Sequence, residues 1–530
     1  MGNIKINKKR VIELLFMTLL LACAAALYYY PPRWAADLNP DPDGGEYATT
    51  ALRLLRGEGF HIVLQGVSYP SRYPFGFPLI IVSFYVVFGS FLGNAIIAVF
   101  VGSIGSVISI YLIARKFVSP AASLVAGGVV LSSAAYLSWS TRIMSDYMSV
   151  LLFTTLYLVV YRVLEKKIFS VISSVTIVVS SAFLIWMRFV DLPLVACAML
   201  LLVFCGIGRT IDRWYILVAI GALLVGTIPL LIYNYNTFGG IFSNGYLFWV
   251  PYWYQDIHKT FSPEYVEPNI SYYIEAIRQN TAVSFFFLVL AVIGLVRIFW
   301  ERARYSFEQH ALIVLIFLSS VWYILSYCFY FFHSERFIIP LLPAIAVFTA
   351  IAIGTPQTHH TLTIPRWRTD AFLRIQGAAV VLFVCGGFQS YPLVVSQSYL
   401  YTEKIVQAHP RRTWRYDVVQ TFLPSCAQRC VFISPDPPTY ANAFSPGTIT
   451  INPNDNSEYS NAIIGKTANS LSKEEKHQII TDALRNGVPI FYDTRVVTGK
   501  SELYMWMLTT GQQLLVRDEG NLAVFRLVAP

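Results

Sequence analysis

Long uncharged apolar runs recur along this chain, and a run of about twenty such residues suits one solvent: coiled as a helix, it spans a ~30 Å hydrocarbon layer. The first, residues 11–30, follows Lys5, Lys8, Lys9 and Arg10, ends in Tyr28, Tyr29 and Tyr30, and is followed by many more such runs. It reads as a retained span rather than a signal peptide. Further spans are expected at 93–113, 119–138, 147–163, 168–188, 191–207, 214–233, 281–299, 311–332, 337–354 and 371–390, about eleven crossings in all. Residues 77–89 are expected to form a helix lying at the membrane interface.

Orientation follows from the basic residues. Arg115 and Lys116, then Arg162, Lys166 and Lys167, then Arg209 and Arg213, then Arg297, Arg302 and Arg304, then Arg366, Arg368 and Arg374 mark the ends of every second run, which places those ends and the N-terminus in the cytoplasm. The net charge of +9 therefore reports topology, and no nucleic-acid partner is expected. Three segments then face the outer side: 31–92, 140–146 and the ring-rich 234–280. No internal repeat is visible, which argues against a transporter built from paired halves.

From about residue 391 the pattern changes to short apolar strands, such as 431–434, 448–451 and 488–492, alternating with amphipathic segments. The expected architecture is an α-helical integral membrane protein, residues 1–390, with a small C-terminal α/β soluble domain, residues 391–530, outside. Ser472 as cap, Glu474 and Glu475 in the first turn, and Asn486-Gly487 as stop predict one helix there. Cys426 and Cys430 are the two cysteines of that tail, and in an oxidising compartment they favour a disulfide over a metal site.

The acidic groups of the first outer segment, Asp37, Asp41, Asp43 and Glu46, fall within ten residues at a membrane surface. A carboxylate there either is merely solvated or deprotonates an acceptor hydroxyl, for which partial burial brings its pKa nearer the working pH. Residues 49–56 alternate apolar Ala51, Leu52, Leu54 and Leu55 with Arg53 and Arg56, as a short helix on the membrane would. Arg336, Arg72 and Arg142 are candidates for binding a phosphate anion, with snorkelling to headgroups as the plain alternative. Arg142 with Asp146, and Arg188 with Asp191, are candidate structural ion pairs, the first at i,i+4 spacing if its turn is helical. His333 beside Glu335 offers a base or an interfacial polar tip. Asp256, His258 and Glu264 are candidate cleft residues, and the rings of 246–254 read first as an interfacial belt. Asn269-Ile270-Ser271 matches a glycosylation acceptor pattern.

Asp43, Tyr47, Ala51 and Leu54-Leu55-Arg56-Gly57-Glu58-Gly59-Phe60, followed by the aromatic-proline stretch ending at Pro78 and by Phe88-Gly89, resemble the start of the GT-C membrane glycosyltransferases. The resemblance is to the branch (glycosyltransferase family 39-like) holding the protein O-mannosyltransferases and the aminoarabinose transferases of lipid A. Arg142 with Asp146, and His333-Ser334-Glu335-Arg336 leading to Pro340 and Pro343, are similar to that family's later motifs, so the likeness covers about residues 10–390.

The resemblance implies an inverting transferase that moves a sugar from a polyprenyl-phosphate donor to a protein, lipid or polysaccharide acceptor on the extracytoplasmic face. Asp43 matches the family's first-loop acid, with Asp41 as its rival and Glu46 third. Arg336, Arg72 and Arg142 would meet the donor phosphate, and Asp146, His333 and Glu335 would support them. Some members of the superfamily use Mg²⁺ or Mn²⁺ and others use none; here Asp41 and Asp43 would be the ligands. A bacterial inner membrane, with the tail in the periplasm, is the expected location. The rival classes are a lipid or polysaccharide flippase, which charges at mid-span depth would favour, and a receptor whose working part is the tail.

Overall fold

A computed structural model describes residues 15–18, 21–22, 42–64, 67–90, 92–140, 142–166, 169–207, 213–280, 282–355, 426, 429–434, 448–453, 472–499, 501–519 and 522–530. Most of the first span, the 371–390 span, Asp37, Asp41 and the 390/391 boundary lie outside these residues. In chain order, helix α1 (Pro42–Leu55) leads into the hairpin β1 (His61–Leu64) and β2 (Val67–Pro70), then α2 (Gly76–Phe88) and α3 (Leu92–Ala114). Next come α4 (Pro120–Ser132), α5 (Ala134–Trp139), α6 (Asp146–Lys166), α7 (Val171–Met187), α8 (Leu192–Ile207), α9 (Arg213–Phe238) and the short α10 (Gly245–Trp249). Helices α11 (Val266–Asn280), α12 (Ala282–Trp300), α13 (Phe307–Phe329) and α14 (Leu342–Ile353) complete the apolar part.

Among the described residues five helical stretches are long and apolar enough to cross a membrane: Asn94–Ala114, Asp146–Lys166, Arg213–Phe238, Phe307–Phe329 and Glu335–Ile353. Shorter apolar helices include Gly76–Phe88, the one expected at the interface, and Pro120–Ser132. The span expected over 119–138 is broken. Ser133 ends α4 in an extended conformation, and its hydroxyl accepts the Tyr136 amide to start α5. Apolar residues continue on both sides of the break, so hydropathy alone conceals a serine that competes for the backbone.

The described residues fall into two compact units, one built mainly from Val99–Leu230 and Thr260–Leu400, the other from Trp34–Ala98, Leu231–Lys259 and Tyr401–Pro530. In the first unit α12 and α14 cross closely at Gly294, where a Cβ would lie 1.9 Å from the Phe348 carbonyl oxygen. Arg297 donates to the carbonyls of Ile351, Ala352 and Gly354, so one of the basic markers of topology also satisfies the C-terminal end of α14.

The second unit holds α1 packed on α2, the β1–β2 hairpin, and the mixed sheet of the C-terminal region. In that sheet β3 (Cys430–Ile433), β4 (Thr448–Ile451) and β5 (Ile490–Asp493) run parallel, and β6 (Gln512–Glu519) and β7 (Leu522–Val528) complete the order β4-β3-β5-β7-β6 with antiparallel pairings. The expected helix runs Lys473–Arg485, with Ser472 and Glu475 in a reciprocal capping box and Gly487 at φ 64° just beyond it. Cys426 and Cys430 form a disulfide. Its core includes Ile433, Ile451, Ile480, Tyr492 and Met507, and β4 lies alongside β1.

Candidate active site

In the second unit, the first turn of α1 carries Asp43, and Glu46 follows one turn on. Arg72, just beyond β2, reaches both: its Nη2 lies 3.0 Å from Asp43 Oδ1 and 3.6 Å from Glu46 Oε2. Glu46 is 2% exposed, and its Oε1 accepts the Ser71 hydroxyl at 3.0 Å and the Arg72 backbone amide at 2.5 Å. Burial pushes its carboxyl above the ordinary value, against the pull of the Arg72 guanidinium. Asp43 keeps 20% of its side chain exposed, so it is the acid of the pair that a reactant can reach. Tyr47 packs on Tyr73 at 4.5 Å and edge-on to Phe77 at 5.0 Å, and the Arg72 guanidinium lies 4.6 Å over the Tyr73 ring. At the far end of α1, Arg53 Nε donates to His61 Nε2 and its Nη2 pairs with Glu58. Burial, and after it the positive charge of Arg53, hold His61 below its ordinary pKa.

The segment 231–259 fastens this locus from the other side. Trp249 is fully buried and its indole donates to the Pro70 carbonyl at 2.8 Å. Tyr246 packs on Tyr73. Gly245 touches the backbone of residues 71 and 72.

A second locus belongs to the first unit. Arg142 lies 4.2 Å over the Trp139 ring and Arg336 5.7 Å from its centre, so two cations distant in sequence converge on one indole at the end of α5. Arg336 also contacts Met144 Sδ at 3.1 Å and flanks the Phe337 ring. Behind them, Asp146 opens α6 and takes Arg188 Nη1 at 2.7 Å, while Arg188 Nη2 donates to the Tyr327 hydroxyl at 2.6 Å. Asp191 accepts from Ser149 at 2.5 Å and Tyr323 at 2.7 Å. Tyr327 stacks on Phe337, centroids 4.2 Å apart and planes at 1°, which ties the network to the segment carrying Arg336.

No family model and no curated protein matches the sequence. Solved structures match over nearly its whole length. ArnT from Cupriavidus metallidurans bound to undecaprenyl phosphate aligns at TM-score 0.53 with 13% identity, covering 97% of each chain. AglB, the archaeal oligosaccharyltransferase from Archaeoglobus fulgidus, in complex with an inhibitory peptide and a dolichol-phosphate, aligns at 0.55 with 12% identity, covering 98% of this chain and 74% of that one. The chain has the GT-C fold.

On this GT-C fold the residues singled out in the sequence take distinct places. Asp43, Glu46 and Arg72 come together, and so do Arg142 and Arg336. Asp41 lies outside the described residues. The i,i+4 geometry expected for Arg142 and Asp146 is absent, because residues 142–145 are not helical and α6 begins at Asp146. The pair Arg188–Asp191 is replaced by Arg188 gripping Asp146. His333 is exposed and packs on Tyr272 at 4.2 Å. Glu335 starts the 3₁₀ turn Glu335–Leu341 that carries Arg336. Asp256 caps the His258 amide, and Glu264 is exposed in a turn begun by Ser262.

The belt reading fails for Trp249, which is fully buried and, with Tyr246 against Tyr73, fastens the Arg72 turn. The glycosylation reading of Asn269 fails too: it is 2% exposed and its amide donates to the carbonyls of Tyr327, Cys328 and Tyr330 at the end of α13. Ser71, Gly245, Ser149, Tyr323 and Tyr327 carry no sequence signal of their own. Arg188 and Asp191 do, since ionisable groups at the ends of apolar runs demand partners.

The fit of a divalent cation is decided by the donor set. Among the described residues no group of three or more His, Cys, Asp and Glu side chains is arranged to hold a metal. Asp43 and Glu46 face the Arg72 guanidinium, and one Glu46 oxygen already accepts two donors. The pair as built does not fit Mg²⁺ or Mn²⁺.

Proposed function

We propose that the chain is an integral membrane glycosyltransferase that moves a sugar from a polyprenyl-phosphate donor to an acceptor hydroxyl on the extracytoplasmic face, with inversion. The observation that carries this reading is the Asp43 carboxylate, partly exposed and oriented by Arg72 in the first turn of α1, on a GT-C fold. Neighbours of that fold crystallised with undecaprenyl phosphate and with dolichol-phosphate support the donor class.

Asp43 accepts the proton of the acceptor hydroxyl as its oxygen bonds to the anomeric carbon, and the bond from that carbon to the phosphate oxygen breaks with its electron pair staying on the phosphate. Arg142 and Arg336 are assigned to the anion that results, since guanidinium groups neutralise phosphate charge as it develops. Arg72 is assigned to Asp43 rather than to the donor. The C-terminal domain is assigned to acceptor binding on the extracytoplasmic side, the orientation that the charge pattern supports, and a bacterial inner membrane is the location proposed. The flippase reading finds no support in the Arg188 network, whose charges sit at helix ends rather than at mid-span.

The deciding experiment is transfer of labelled sugar from a panel of polyprenyl-phosphate donors to acceptor membranes by the purified chain. Wild type should transfer label, and Asp43→Asn should fold, bind donor and lose at least about a hundredfold in rate, the scale of a general base. A panel that yields no wild-type product overturns the reading.

A further inference from the structure

We infer that the Arg72 guanidinium is a built-in replacement for a divalent cation at the Asp43–Glu46 pair, so that this transferase positions its base without metal. The inference deepens the proposed function and rests on it for the word transferase. It does not rest on it for the metal site.

Two carboxylates one helical turn apart repel each other unless a positive charge lies between them. A divalent cation would do this with oxygen ligands at roughly 2.0–2.6 Å, and it would need lone pairs from both acids. Here the guanidinium supplies the charge, at 3.0 Å from Asp43 and 3.6 Å from Glu46. Glu46 Oε1 is spent on the Ser71 hydroxyl and the Arg72 amide.

Arg72 is also fixed at its own backbone. Gly245 presses on its carbonyl, Trp249 holds the neighbouring Pro70 carbonyl, and the guanidinium lies over Tyr73. To admit an ion the guanidinium would have to leave both acids and the Tyr73 ring, and an ion bound beside it would be a cation buried against another cation. Arg72 thus acts as a positioning residue: by holding Asp43 Oδ1 it sets which oxygen is left for a reactant.

The test is Mn²⁺ binding followed by electron paramagnetic resonance on the detergent-purified full chain, with thermal unfolding to verify folding. Wild type and Asp43→Asn should bind Mn²⁺ equally weakly. Arg72→Ala should gain a site at least about tenfold tighter, because removing the guanidinium frees both acids as ligands, and the gain should vanish in Arg72→Ala with Asp43→Asn. Mn²⁺ binding by wild type that Asp43→Asn abolishes overturns the inference, and that comparison needs no Arg72 variant. So does an Arg72→Ala protein that folds and gains no site. In the transfer assay, a chelator should leave the wild-type rate unchanged, and Mn²⁺ should restore part of the rate that Arg72→Ala loses. A chain that transfers no sugar at all defeats the proposed function while the Mn²⁺ titration still reads the site.

Discussion

Gly245 lies against the carbonyl oxygen of Arg72 so closely that a Cβ at position 245 would come within 2.3 Å of it. A side chain there must push the turn that aims the guanidinium at Asp43. Gly245→Ala should therefore cost about 1–3 kcal/mol by overpacking and should lower the transfer rate more than it lowers donor affinity. Circular-dichroism melting and a split of kcat from KM check this. Equal activity in Gly245→Ala would show that the turn tolerates displacement.

Glu46 gives a pH signature. Its folded-state carboxyl is raised by burial, so folding favours the protonated form: the stability this contributes is full below the unfolded carboxylate pKa of about 4.3 and is lost as pH rises through the raised folded value. Wild-type stability should accordingly fall from acid toward neutral pH relative to Glu46→Gln, which has no such proton to lose. Thermal melts of the two proteins across that range decide it, and parallel profiles would sink the idea.

Asn269 should never carry a glycan in any host, and its replacement should be felt at the end of α13. Asn269→Ala leaves the carbonyls of Tyr327, Cys328 and Tyr330 short of a buried donor, at a cost of about 1–3 kcal/mol. Intact-mass measurement of protein expressed in a glycosylating host and the melting shift of Asn269→Ala test the two halves separately. A modified Asn269 would contradict its burial.

Particular residues show what the sequence makes legible. Several helical spans, the Ser472 cap and the strands β3, β4 and β5 are visible because hydropathy and capping are local. The acidic cluster of 37–46 is conspicuous as charge at a membrane surface, and only the resemblance singles out Asp43 within it. Its partner Arg72 lies 29 residues away, and only the hairpin between them, with Gly245 behind it, brings the two together. The same holds for Asp146, whose nearest basic residue in sequence is Arg142 but whose carboxylate takes Arg188 across 42 positions. Spacing names the charged groups of such a protein, and tertiary packing chooses their partners.

That choice of partner makes the last prediction. Arg188 and Asp146 are both largely buried, with side chains 13% and 5% exposed, and each compensates the other's charge. Removing one partner strands the other in a medium that solvates it poorly, so Arg188→Met or Asp146→Asn alone should cost about 3–5 kcal/mol. The double variant should cost less than the sum of the two, because it strands neither charge on this pair. Asp191 keeps Ser149 and Tyr323 in every case, which makes the cycle a measure of the Arg188–Asp146 term. Since Arg188 also holds Tyr327, whose ring lies flat on Phe337 beside Arg336, Arg188→Met should weaken donor binding as well. Additive stability losses, with donor affinity untouched, would mean that the pair neither supports the bundle nor steadies the arginine locus.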